Sequence, residues 1–147
     1  MEQHLQELIN KIPTGLLIGD TWREGFAGET FDVLNPATEE KLTTLASATP
    51  EDAIAALDAA CQVQDQWAHT PPRERAEILR QAYDLITDRS EEFATLMTLE
   101  MGKPLAESRG EVVYGAEFLR WFSEETVRDY GRYQPTPEGK NQILVKH

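Results

Sequence analysis

The chain has 147 residues, with 26 acidic side chains against 14 basic ones and a formal net charge of −12, enough for one core and too little for two large domains. Nucleic acid and anionic membrane both need clustered Lys and Arg, so this balance excludes them as partners, and no apolar run approaches the roughly 20 residues that cross a bilayer. The single cysteine, Cys61, excludes an internal disulfide and fits a reducing, cytoplasmic setting.

The polar start from Met1 to Lys11 has no secretory h-region. Within it Leu5, Leu8, Ile9 and Ile12 recur at helical spacing, which predicts a helix ending before Pro13. From Leu16 to Ala48 the period changes. Leu16–Ile18, Gly19-Asp20 and Thr21–Arg23 read as a hairpin whose turn glycine permits positive φ. Phe31–Leu34 alternates as a strand, Asn35-Pro36-Ala37-Thr38 is turn chemistry, and Lys41–Ala46 returns as another strand. Together these predict one small antiparallel sheet.

Helices take over at Thr49, where a capping hydroxyl precedes Pro50, Glu51 and Asp52. Ile54, Leu57, Ala60, Cys61, Gln64 and Trp67 then define an apolar face that predicts burial. Thr70-Pro71-Pro72 stops that helix and starts a second, with Ala76, Leu79, Tyr83 and Ile86 inward. Ser90-Glu91-Glu92 reads as the cap of a third, which closes at Gly102 as a left-handed C-terminal residue. Pro104 opens the longest helix, carrying Val112, Ala116, Leu119 and Phe122 inward to about Gly131. Arg132 to Asn141 reads as a loop and Gln142–Val145 as a strand. The fold class is mixed α/β: an N-terminal helix, a small antiparallel sheet, four helices and a terminal strand.

Catalytic patterns are absent from this stretch of sequence. His4, His69 and His147 stand at no metal-ligand spacing with another His, Cys or acid. The nine glycines form neither G-x-G-x-x-G nor G-x-x-x-x-G-K-[ST], and there is no G-x-S-x-G elbow. Cys61, mid-helix on the apolar face, reads as a buried small hydrophobe whose surroundings block access. Trp67 and Phe122 read as packing residues, with Trp121 beside that stripe. Glu91-Glu92 and Glu124-Glu125 read as helix ends and solvated faces. Glu100 stands out, because an acid in the last turn of a helix opposes the dipole and wants a compensating cation or donor.

Leu99-Glu100-Met101-Gly102-Lys103-Pro104-Leu105-Ala106-Glu107 resembles the L-E-x-G-K-P-x-x-E signature of the aldehyde dehydrogenase superfamily. Leu17–Trp22 resembles that family's opening hairpin, Asn35-Pro36-Ala37-Thr38-Glu39-Glu40 its N-P-A-T-G-E turn, and Trp67, Arg75 and Leu79 its W-x(n)-R-x-x-x-L pattern. Arg109-Gly110-Glu111-Val112 and Trp121-Phe122-Ser123-Glu124-Glu125 are most similar to the succinate-semialdehyde dehydrogenase branch. Glu39 departs from the pattern, standing where the family's turn has Gly.

The resemblance implies oxidation of an aldehyde by a cysteine thiolate, with hydride passed to NAD or NADP and succinate formed from succinate semialdehyde. In that family the P-W-N-F-P stretch, cofactor glycines, glutamate base and cysteine nucleophile follow a strand like Gln142–Val145. The resemblance therefore implies no catalytic and no cofactor-binding residue here, and the expectation is that the 147-residue chain alone binds no dinucleotide and is inactive. It further implies that residues 1–131 are the N-terminal part of the nucleotide-binding domain and 132–147 a loop and the start of an oligomerisation arm. Through that arm a homo-oligomer or self-association by the C-terminal strand is expected. By motif match, Glu100 would hold a monovalent cation with the backbone carbonyls of Val33 and Leu34; a solvent-exposed or Lys103-paired Glu100 is the alternative. Two other readings of the chain stay open: a truncated relic that binds family members through its last strand, and an acidic helical domain with no retained role.

Overall fold

The computed structural model describes residues 2–128 and 130–145, with the side chains of residues 2–4 left aside. Helix α1 (Glu2–Ile9) is followed by β1 (Leu16–Ile18) and β2 (Thr21–Arg23), then β3 (Thr30–Leu34) and β4 (Lys41–Ala46). Four helices come next, α2 (Pro50–His69), α3 (Pro72–Asp88), α4 (Ser90–Met101) and α5 (Leu105–Glu125), and a 3₁₀ turn at Thr126–Arg128 extends the last. The hairpin β5 (Arg132–Pro135) and β6 (Gln142–Val145) closes the order. The chain is mixed α/β.

The strands do not form one sheet. Among the described residues β1 pairs only with β2 and β3 only with β4, both antiparallel, as separate two-stranded ribbons. The segment between β2 and β3 leaves the ladder: Gly25 runs against the Ser47 carbonyl so closely that a Cβ on it would lie 2.3 Å from that oxygen. The expected loop over Arg132–Asn141 is also corrected, because Arg132–Pro135 is a strand registered on Gln142–Val145. A two-stranded ladder shows little periodicity in sequence, and Pro135 sits at the strand's end, where a missing N–H is tolerated.

Local chemistry explains most helix ends. Thr49 caps α2, and the Asp52 amide donates to the Thr49 hydroxyl at 3.4 Å while the Thr49 amide donates to the Asp52 carboxylate at 2.9 Å, a reciprocal capping box. Gly102 ends α4 at φ 73°, ψ 9°, the left-handed conformation that costs glycine least. Ser90 is not a cap; Arg89 is the capping position, with no side-chain capping bond, because its amide still bonds back to α3 and the two helices run on with almost no linker. The longest helix stops at Glu125 rather than near Gly131.

The core is a helix sandwich. α3 and α4 pack on α5, burying Ala76, Ala94, Val112 and Ala116, and Leu8 of α1 is buried as well. Small residues let the helix backbones approach closely. Buried Ser108 of α5 shares a 2.9 Å hydrogen bond with the Thr98 hydroxyl of α4, so the polar atoms are satisfied where they meet. α2 meets the rest chiefly at β1. Its predicted core face is therefore largely bare: Ile54, Leu57 and Trp67 are exposed, as is Phe122 on α5. Periodicity marks a face that something covers, and among the described residues nothing covers this one.

Candidate functional site

The resemblance-implied cation residues come from two elements that the fold brings near each other. The Asn35–Glu40 turn folds on itself: the Ala37 amide donates to the Asn35 side chain at 2.9 Å, and the Glu39 amide donates to the Asn35 carbonyl at 2.8 Å. This turn meets the end of α4, where a Cβ on Gly102 would lie 3.0 Å from Pro36 Cγ. Glu100 sits two residues before that contact and is exposed. On the hairpin side the ladder slips between Val33 and Leu34, where the register jumps from Thr43 to Lys41, and such an irregularity leaves backbone groups outside regular pairing.

Lys103 does not neutralise Glu100. Its ammonium pairs with Glu111 of α5, and among the described residues Glu100 forms no ion pair. The described residues also contain no group of three or more His, Cys, Asp or Glu side chains placed to hold a metal ion. One carboxylate with backbone carbonyls is an oxygen donor set of the hard-cation kind, not of the zinc kind. Beside this junction lies a cleft of about 450 Å³ lined by Leu5, Asn35, Thr38, Glu40, Leu42 and Leu99.

The other candidates separate. His69 Nδ1 donates to the Asp65 carbonyl of its own helix at 2.7 Å, a local cap. His147 lies outside the described residues and His4 has no described side chain. Cys61 is exposed, not buried; its helix packs too lightly for the apolar face to be shielded. It has no catalytic neighbour in this chain's sequence, so accessibility does not make it a nucleophile.

Two features were legible only in part in the one-dimensional pattern. One is Asp52, 1% exposed, which gathers Arg23 at 2.8 Å, the Phe26 amide at 3.1 Å and the Thr49 amide at 2.9 Å. The Thr49 backbone bond does most to hold its carboxyl below the ordinary aspartate range; burial opposes this, while the Phe26 amide, the Thr49 hydroxyl and Arg23 assist. Only the capping half was legible, because Arg23 and Phe26 are remote in sequence. The other is an aromatic face on α5. Tyr114 and Phe118 meet edge to face with centroids 5.1 Å apart, and with Glu117, Trp121 and Phe122 they line an open cleft of about 420 Å³.

Residues 22–147 match the aldehyde dehydrogenase family. A succinate-semialdehyde dehydrogenase of Paenarthrobacter nicotinovorans is 78% identical over 106 residues, 72% of this chain and 24% of that protein. An NADP(+) succinate-semialdehyde dehydrogenase of Escherichia coli is 40% identical over 129 residues, 88% of this chain and 27% of its own length. Among solved structures, an E. coli NADP-dependent enzyme superposes with a TM-score of 0.85 at 38% identity, over 92% of this chain and 28% of that one. A betaine aldehyde dehydrogenase of Staphylococcus aureus, solved with NAD+, superposes at 0.87 with 27% identity, over 92% of this chain and 27% of its own. The chain thus spans about a quarter of the length of these relatives. No described helix is long and apolar enough to cross a membrane. With the signature around Gly102, the opening hairpin and the Asn35–Glu40 turn all occurring on this shared fold, the chain belongs to the aldehyde dehydrogenase family.

Proposed function

We propose that the chain is the N-terminal part of an NAD(P)-dependent dehydrogenase that oxidises succinate semialdehyde to succinate, residues 1–131 being the N-terminal part of its nucleotide-binding domain and 132–147 a loop and the start of its oligomerisation arm. The observation that carries this reading is the 78% identity, over 106 residues, to a succinate-semialdehyde dehydrogenase. NAD or NADP would supply hydride acceptance in the whole enzyme. The described residues do not fit such a group by themselves. At the N-terminus of α2, a position where a phosphate can sit, the Asp52 amide donates to the Thr49 hydroxyl and the Thr49 amide to the Asp52 carboxylate. In this reading the dinucleotide site, the thiolate and the deacylating base belong to polypeptide outside these 147 residues, and the chain alone is inactive.

The test joins this chain to the downstream polypeptide of its 78%-identical relative and follows NAD(P)H absorbance with succinate semialdehyde. The extended chain turns over this substrate in preference to longer or uncharged aldehydes, and the 147-residue chain does not. A preference for another aldehyde overturns the substrate; turnover by the short chain that survives Cys61→Ser overturns the placement of the chemistry.

Glu100, with the Val33 and Leu34 carbonyls, is the proposed seat of a monovalent cation in that extended enzyme. The support is an acid without an ion-pair partner among the described residues, beside a hairpin whose ladder slips at the two carbonyl residues. K⁺ or Na⁺ raises the melting temperature of the extended enzyme and loses that effect in Glu100→Ala. An equal rise in both overturns the site.

Self-association through β6 is the proposed behaviour of the isolated chain. Both strands of the terminal hairpin are exposed throughout, and an open strand edge pairs readily with another. Sedimentation at tens of micromolar shows oligomers; a clean monomer overturns it.

A further inference from the structure

Helix α1 precedes residues 22–147, which carry the family match, and its attachment to the rest of the fold is light. Among the described residues its hydrogen bonds are internal: Gln6 Nε2 donates to the Asn10 side chain, and the Asn10, Lys11 and Ile12 amides bond back to Gln6, Leu8 and Ile9. Leu8, 6% exposed, is the buried side chain among those described in α1. Eight residues are too few to hold a helix in water by themselves, so α1 is helical because it is docked, and one leucine is its main anchor.

Its seat is specific. Leu5, Gln6 and Ile9 line the cleft of about 450 Å³ together with Asn35, Thr38 and Glu40 of the turn, and Leu99, the neighbour of Glu100, lines it too. That turn is closed by the Asn35 amide on the Glu40 carbonyl at 2.9 Å and holds Glu39 at φ 60°. A non-glycine residue in that conformation persists where the surrounding structure over-determines it. We infer that α1 is a releasable strap on the Asn35–Glu40 turn: docked, it holds the turn in its strained form and with it the Val33 and Leu34 carbonyls; released, it lets the turn relax. Docking of α1 and loading of a monovalent cation at Glu100 then favour each other, as linkage requires. The ion half of this inference rests on the cation reading above; the strap and the strained turn do not. A glycine at position 39 adopts positive φ freely and needs no strap, so the dependence on α1 belongs to Glu39 of this chain.

The experiment uses the extended enzyme, this chain joined to the downstream polypeptide of its 78%-identical relative. Amide hydrogen exchange shows Asn10 and Ile12 protected; Leu8→Ala lowers that protection at least tenfold and leaves the amides of α5 as they were. Unprotected α1 amides in the unaltered enzyme overturn the strap, as does protection that survives Leu8→Ala. The K⁺ concentration giving half of the rise in Tm increases at least fivefold in Leu8→Ala, and less than twofold when Leu8→Ala is made in the Glu39→Gly background. An equal increase in both backgrounds overturns the link through the turn, because a general loss of packing at Leu8 acts alike on both. A K⁺ effect that is absent, or that persists in Glu100→Ala, defeats the cation reading instead. Melts without K⁺ then decide the strap: Leu8→Ala costs at most half as many degrees with Glu39→Gly as without it, and an equal cost overturns it.

Discussion

The Arg23 guanidinium lies 2.8 Å from the Asp52 carboxylate, joining the end of the first hairpin to the first turn of α2. The same guanidinium stacks 4.3 Å from the centroid of the Phe26 ring, whose backbone amide also donates to Asp52. One carboxylate thus ties a strand, a loop and a helix cap. Nothing in the length or charge of the chain announces it.

The Asp52 tie is acid-sensitive in a defined direction. Its carboxyl is lowered in the fold, so the unfolded chain takes up the proton first as pH falls. The stabilisation is full above the ordinary aspartate range and is lost from about pH 5 down through the lowered folded value. Asp32 is also lowered, chiefly by the Lys41 bond, and Glu91 chiefly by the Arg109 bond, but both are exposed and solvent screens their share. Asp52→Asn should lower Tm at pH 7 by about 5 °C and flatten the loss of Tm below pH 5. An unchanged acid slope, read by circular dichroism, would assign that loss to other carboxylates.

Glu39 is the described non-glycine residue with positive φ, at 60°. The turn keeps the left-handed geometry although the side chain disfavours it by roughly 1–2 kcal/mol. Glu39→Gly relieves that strain, less the added freedom of the unfolded chain, and should raise Tm by about 2 °C. Glu39→Ala relieves nothing and serves as the control.

Gly102 has no such tolerance. Its φ of 73° and the Pro36 Cγ that an added Cβ would meet at 3.0 Å act together, so Gly102→Ala should destabilise by about 1–2 kcal/mol. Thermal melts measure the loss. Pro36→Ala in the same background removes the contact and should recover part of it, whereas simple additivity would show the two positions do not meet.

Cys61 should react with a thiol reagent in the native chain at nearly the rate of the unfolded chain, since it is exposed and rate follows access. Cys61→Ser should change stability by less than about 0.5 kcal/mol. Slow labelling relieved by denaturant would restore the buried position that its apolar periodicity suggested.

Features fixed within a few residues were readable in one dimension. Thr49-Pro50-Glu51-Asp52 is a capping box because cap and amide are three residues apart, and Gly19 and Gly102 mark left-handed turns that other residues disfavour. The family signature sits on those same punctuation points, so it too was legible. Tertiary structure decided the rest. Arg23 finds Asp52 across 29 positions, Lys103 chooses Glu111 over Glu100, and β5 is a strand because β6 returns beside it. The helical periods of Ile54, Leu57, Cys61 and Phe122 name an apolar stripe but not its cover. Burial is a property of two surfaces, and a sequence pattern describes only one of them.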